Sequence, residues 1–342
     1  MLTNPKITLD YVHMVLRELE SYPFTVFDSI FIGGGTPTAL TVSEWMPLLE
    51  ALSSRRHAQT EWTIECNFES TTEEKLRLFQ RFGVNRLSFG VQTFDESALI
   101  GLNRHHSAHD IVEGITMAKR VGFKHINIDL IYDLPNVSDD QLQRDLDAFL
   151  KLDVDHISTY ALTVHPGTVF GIRGVRQATD EVSRAHYETI YQTLTKHGYE
   201  RYEVSNFARH GAYSRHNQTY WRDENYLGIG LGASGYLHPR RYTNTKSMKR
   251  YLAGEWMGQE EQLTPNMEMF EYLMLNLRMK EGFLLTSFAQ RFHQSFQETF
   301  AESLKKLVEK KLLFVDSFRC FATFEGMMLL DYVVIELTKT KI

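Results

Sequence analysis

Only two cysteines, Cys66 and Cys320, occur in the 342 residues, and they lie far apart. That scarcity excludes a disulfide framework, leaves no metal-binding cysteine pair and fits a reduced compartment. Long hydrophobic runs are missing too. No apolar stretch reaches the roughly 18 residues that a membrane span requires, and the start lacks a basic segment followed by an apolar one. The expectation is a cytoplasmic chain with no membrane span. No large excess of one charge exists either: the net charge is −6, which exerts no global pull toward nucleic acid or anionic membrane. Low-complexity segments are absent, as is any repeat beyond a strand–helix unit.

What is present is a globular composition, 43% hydrophobic and 23% charged, in a chain long enough for one large domain and one small one. Val12, Val15, Leu16 and Leu19 recur at helical spacing, and the next apolar cluster, Ser29 to Ile32, ends in three glycines. The pattern continues as helix 42–54, strand 62–66, helix 73–82, strand 86–91, helix 108–120, strand 127–131, helix 138–150 and strand 156–160. Such alternation implies right-handed parallel crossovers, in a doubly wound sheet or a (β/α) barrel. Candidate polar residues fall at strand ends, which favours the barrel. After a long helix at 180–197 comes a polar, aromatic and glycine-rich stretch, 199–237; from Pro265 the chain reads as mostly helical. The expected organisation is a barrel core at 1–170, an extension at 171–260 and a small, mostly helical, winged-helix-like domain at 261–342.

Two constellations carry chemistry. Gly33, Gly34, Gly35, Thr36 and Pro37 follow an apolar strand, where missing side chains let backbone amides approach a polar group; a tight turn is the plainer reading. Glu65, Gln92 and Asp129 stand on successive strands, and polar groups converging on one mouth make a binding site. The second constellation is Arg215 to Trp221, with His216 in an aromatic setting. His105, His106, His156 and His165 are not expected to be ligands, and Cys66 is expected to be a small buried hydrophobe.

The strings FIGGGTPT (31–38), NRLSFGVQTF (85–94), LNRHH (102–106) and NIDLIYDLP (127–135) resemble, in order and spacing, the motifs of the radical S-adenosylmethionine family of oxygen-independent coproporphyrinogen III oxidase. The similarity runs on through 156–170 and 199–234 to the C-terminus. It implies an α/β fold, an incomplete (β/α)6-type partial barrel lacking its first strand. It also implies an S-adenosylmethionine site: Gly34, Gly35 and Thr36 at the methionine end, Arg104 on its carboxylate, Glu65, Gln92 and Asp129 on polar atoms of methionine and ribose, and Ala161 at the adenine. His216, Asn217 and Tyr220 match the His-Asn-x-x-Tyr segment of the family's haem-chaperone branch, with His216 as a haem-iron ligand. That branch implies haem as cargo, haem-accepting respiratory proteins as partners, and a homodimer as one assembly.

The sequence departs from the family in one respect. A Cys-x-x-x-Cys-x-x-Cys loop should hold a 4Fe–4S cluster, and no such loop occurs. Met1 falls where the loop should just have ended, so the expectation is a truncated record or a cluster-less relative. In either case the chain as written cannot start radical chemistry. The leading expectation is a haem-binding chaperone; the alternatives are a coproporphyrinogen III oxidase whose cluster loop lies upstream, and a cluster-less non-catalytic relative.

Overall fold

The computed structural model describes residues 5–135 and 137–339, so Met1 lies outside them. Helix α1 (Pro5–Glu20) is followed by β1 (Phe27–Ile32), α2 (Val42–Ser53), β2 (Arg56–Cys66), α3 (Glu73–Phe82), β3 (Arg86–Gln92), α4 (Glu96–Gly101), α5 (Ala108–Val121), β4 (His125–Tyr132), α6 (Asp139–Lys151) and β5 (His156–Ala161). Then come α7 (Val169–Ile172), α8 (Asp180–Lys196), β6 (Glu200–Arg201) and β7 (Asn206–Ala208). The strands form one sheet in the order β1-β2-β3-β4-β5-β7-β6, parallel from β1 to β5, with β7 antiparallel to both β5 and β6. Because the parallel strands follow sequence order without a reversal, the sheet is wound in one direction, as in a barrel. A doubly wound sheet would reverse.

Side-chain alternation divides this sheet into two unlike faces. On one, Trp62, Ile64, Cys66, Leu87, Phe89, Val91, Ile126, Ile128, Leu130 and Ile157 are buried, as are the apolar stripes of α2, α3, α5 and α6. The other face carries Glu61, Thr63 and Glu65 on β2, Arg86 and Ser88 on β3, Asn127 and Asp129 on β4, and His156 and Ser158 on β5. The helices start where the sequence signals them: Thr41 with Glu44 and Ser107 with Asp110 close capping boxes, while Gly83 and Gly122 end α3 and α5 in the left-handed conformation.

Packing gathers Thr25–Arg201 and Ser205–Tyr213 into one compact unit, while the residues from Ser214 onward form a second with α1 and Tyr202–Val204. The second unit holds α9 (Arg215–Trp221), β8 (Ser234–Leu237), β9 (Arg240–Asn244), α10 (Met248–Leu252), β10 (Met257–Gln262), α11 (Pro265–Asn276), β11 (Phe283–Leu284), α12 (Leu285–Phe292), α13 (Phe296–Thr299), α14 (Ala301–Glu309), β12 (Leu313–Val315), β13 (Arg319–Ala322), α15 (Phe324–Met328) and α16 (Leu330–Thr338). Two antiparallel sheets, β10-β9-β8 and β11-β13-β12, accompany these helices. Leu273, Phe288, Phe296, Phe300, Leu307 and Val333 sit at the heart of the C-terminal core.

Helix α1 is tied to this unit by Glu18, which is fully buried. Its carboxylate accepts hydrogen bonds from the Gly230 N–H (2.9 Å), Asn244 Nδ2 (2.6 Å) and the Tyr251 hydroxyl (2.5 Å). Burial pushes the Glu18 carboxyl above its ordinary range, and those donors pull it partly back. Thus α1, expected in the barrel core, packs in the second unit, while the expected boundary after residue 170 falls inside the first.

Candidate functional site

In the first unit Glu65, Ser88, Asn127 and His156 occupy one register row across β2 to β5, and Asp129 opposes Ser158 in the row above. At the end of β1, Gly34 and Gly35 take positive φ angles and turn the chain so that the Gly34 N–H donates to Glu65 Oε2 at 2.9 Å. Gly33 is the position where a side chain has no room: a Cβ there would lie 2.6 Å from the Phe31 ring and 2.7 Å from the Glu65 carboxyl. We expect Gly33→Ala to push Glu65 out of the row and destabilise the protein by about 1–3 kcal/mol in a denaturant titration. Gly35→Asn should change stability by less than about 1 kcal/mol, since open space surrounds Gly35 and asparagine tolerates the left-handed region.

Burial raises the pKa of Glu65, against the pull of the Gly34 N–H and the Arg104 charge. Asp129 is pushed up to about 6, by burial first and by the Glu65 charge; the hydrogen bond from Asn127 and the Arg104 charge act in the opposite direction. Arg104 therefore faces both carboxylates, yet among the described residues its guanidinium has no hydrogen-bond or ion-pair partner. Gln92, at a positive φ of 71° and only 7% exposed, curls over Gly90: its Nε2 and Arg104 Nη2 lie 2.7 and 3.8 Å from where a Gly90 Cβ would stand. Gly34, Glu65, Gln92, Arg104 and Asp129 are thus brought together. Thr36 accepts a hydrogen bond from Asn67 Nδ2 at 3.3 Å. Ala161 ends β5, where alternation puts Tyr160, 45% exposed, rather than Ala161 on the face of Ser158.

His156 is buried within the sheet, and His106 lies 3.2 Å from the Val91 carbonyl, packed on Phe68. Cys66 is buried and its thiol is pushed up to about 12 by burial, so it is an inert core residue. Cys320 is buried as well, and among the described residues no group of three His, Cys, Asp or Glu side chains is placed to hold a metal. These residues do not fit a 4Fe–4S cluster, which needs thiolates at one place.

In the second unit α9 presents His216 and Tyr220 one turn apart. His216 Nε2 lies 2.8 Å from the Tyr220 hydroxyl, and the rings meet edge to face at 4.8 Å. Tyr220 meets Tyr226 at 4.5 Å, and Tyr226, Tyr236 and His238 extend the aromatic series. Burial pushes the Tyr220 phenol up to about 12, so it stays protonated. The Asn217 N–H donates to the capping Ser214 hydroxyl.

Residues 3–149 match the radical SAM superfamily, and residues 263–329 match the HemN C-terminal domain. Heme chaperone HemW of Lactococcus lactis is 35% identical over 328 residues, 93% of this chain and 86% of that protein. The chain belongs to the radical SAM superfamily, in its heme chaperone HemW branch. Heme chaperone HemW of Escherichia coli is 32% identical over 284 residues, 80% of this chain and 75% of its own length. The solved structure of coproporphyrinogen III oxidase (HemN) from Escherichia coli superposes with a TM-score of 0.83 at 22% identity, covering 98% of this chain and 85% of that one, which establishes the shared fold. Among the described residues of this HemW-branch chain, no helix is long and apolar enough to cross a membrane.

Sequence reasoning missed Gly33 as a steric requirement and Asn127 and Ser158 as neighbours of Asp129. The one available signal was the polar residue recurring at every second position of β4 and β5.

Proposed function

We propose that this chain binds haem at the His216–Tyr220 pair of α9 and passes it to haem-accepting respiratory proteins. The single observation in this chain that supports the reading best is that pair. An imidazole whose Nε2–H donates to the Tyr220 oxygen is held in one orientation, and so placed among aromatic rings it can offer its other nitrogen to haem iron while the rings cover the macrocycle. Asn217 is read as part of the same segment. The names of the curated relatives agree with this reading.

The first unit is read as an S-adenosylmethionine site. The unengaged Arg104 fork suits a carboxylate, Glu65 suits an ammonium, and Asp129 with Gln92 suits ribose hydroxyls. Gly34, Gly35 and Thr36 would border the methionine end, and Ala161 the adenine. When bound, S-adenosylmethionine supplies a carbon activated by its sulfonium. The residues hold and orient the ligand, and the cysteines present do not fit the cluster that radical chemistry requires.

Hemin titration followed at the Soret band tests the haem reading. The chain is expected to give a saturable, shifted band, and His216→Ala should lose the shift and bind at least about tenfold more weakly. An unshifted band in the unsubstituted chain would overturn it.

A further inference from the structure

Every polar atom of the Asn127 side chain is engaged. Nδ2 lies 2.8 Å from Ser88 Oγ and 2.8 Å from Asp129 Oδ1; Oδ1 lies 2.6 Å from His156 Nδ1 and 3.0 Å from Ser158 Oγ. An ionised carboxylate can only accept, so the side facing Asp129 is the NH2 group. The carbonyl then faces His156, whose Nδ1 must carry the proton. Burial and the nearby Arg86 charge hold His156 well below its ordinary pKa, so it is neutral and its tautomer is set by this bond. Asn127, Ser88, Ser158 and His156 are all less than 9% exposed, which leaves no solvent to substitute for a lost partner.

We infer that Asn127 is a positioning residue for Asp129: its amide, locked from behind by His156 and Ser158, always turns a donor toward the carboxylate, keeping Asp129 an acceptor aimed at hydroxyl groups of a bound ligand. The assignment of those hydroxyls rests on the S-adenosylmethionine reading. The charged groups acting on Asp129 are Glu65 from β2 and Arg104 from the loop after α4; Ser158 on β5 gives its hydroxyl proton to the Asn127 carbonyl and so acts through that amide. Glu65 opposes ionisation and Arg104 favours it. The Asn127 donor also favours the ionised form, so its removal moves the Asp129 midpoint upward.

The test pairs carboxyl 13C titration of the full chain, with Asp129 assigned by the loss of its signal in Asp129→Asn, with S-adenosylhomocysteine affinity measured from pH 5 to 8.5. In Asn127→Leu the Asp129 midpoint is expected to rise by about one unit, and the acid limb of the affinity profile to move with it, so that binding is about tenfold weaker near pH 6 and recovers toward pH 8.5. His156→Leu should shift both in the same direction, while His156→Asn, which keeps an N–H donor at the Nδ1 position, should restore them; a purely structural role would weaken both variants alike. An unmoved midpoint in Asn127→Leu overturns the inference. Should that variant fail to fold, equal behaviour of the two His156 variants overturns it instead. Should the unsubstituted chain bind no S-adenosylhomocysteine, the S-adenosylmethionine reading falls, and the carboxyl titration still decides the role of Asn127.

Discussion

Glu18→Ala is expected to destabilise the second unit by about 3–5 kcal/mol, enough to consume much of the stability of an ordinary domain. Three donors converge on this carboxylate, from Gly230, Asn244 and Tyr251, and none can reach water once it is gone. Each orphaned buried donor costs about 1–3 kcal/mol, partly relieved by relaxation. Glu18→Gln should recover part of this, since its carbonyl can stand in for Oε2 and keep the Gly230 and Tyr251 bonds, while its amide faces the Asn244 NH2, which also donates. Glu20→Ala, one turn-end away and exposed, should stay within about 0.5 kcal/mol. Denaturant titrations of the three variants check this; equal midpoints for Glu18→Ala and Glu20→Ala would refute the clamp.

The second large effect has the opposite sign. Asp129→Asn should stabilise the protein at pH 8 while abolishing ligand binding at the first unit. The folded-state pKa of Asp129, about 6, lies above the ordinary 3.8. A carboxyl raised in this way contributes its full stability below the unfolded value and loses it as pH rises through the folded one. Above pH 6 the protein therefore carries an ionised, poorly solvated group at a penalty of up to about 3 kcal/mol, from roughly 1.4 kcal/mol per unit. Asparagine removes the charge and can still accept from Asn127. The melting-temperature gap between the variant and the parent should be constant above about pH 7 and close as pH falls from 6 toward 4. A gap that widens on acidification would show the sign to be wrong. Stability given up at a binding carboxylate is the usual relation between a site and its fold.

Much of this was legible in the sequence because it is local. Apolar periodicity, capping residues and glycine stops reveal α3, α5 and β3 nearly to the residue; the motif strings single out Arg104 and Asp129, and Glu65 follows from its place near a strand end. The lock behind Asp129 was not legible, since Asn127 and His156 are 29 positions apart and meet only through strand register. Strand β10 was invisible for another reason. Its sequence MGQEEQ has no apolar alternation, and it is held by backbone pairing to β9 and by Arg241–Glu261 at 2.6 Å across the strands. The membership of α1 was equally hidden, because a buried glutamate looks like any solvated helix residue until its partners, more than 200 positions downstream, are known.

That same contact sets an order of events during synthesis. Helix α1 leaves the ribosome before its partners, since Gly230, Asn244 and Tyr251 follow only after some 200 further residues have been added. At about 5–20 residues per second this is a wait of roughly 10–45 s. Throughout it the apolar stripe of α1, with Val12, Met14 and Leu19, has none of its final neighbours from the C-terminal third, while the parallel sheet between can complete itself. The nascent chain thus offers a chaperone the unpartnered apolar stripe of α1 for the whole of that interval.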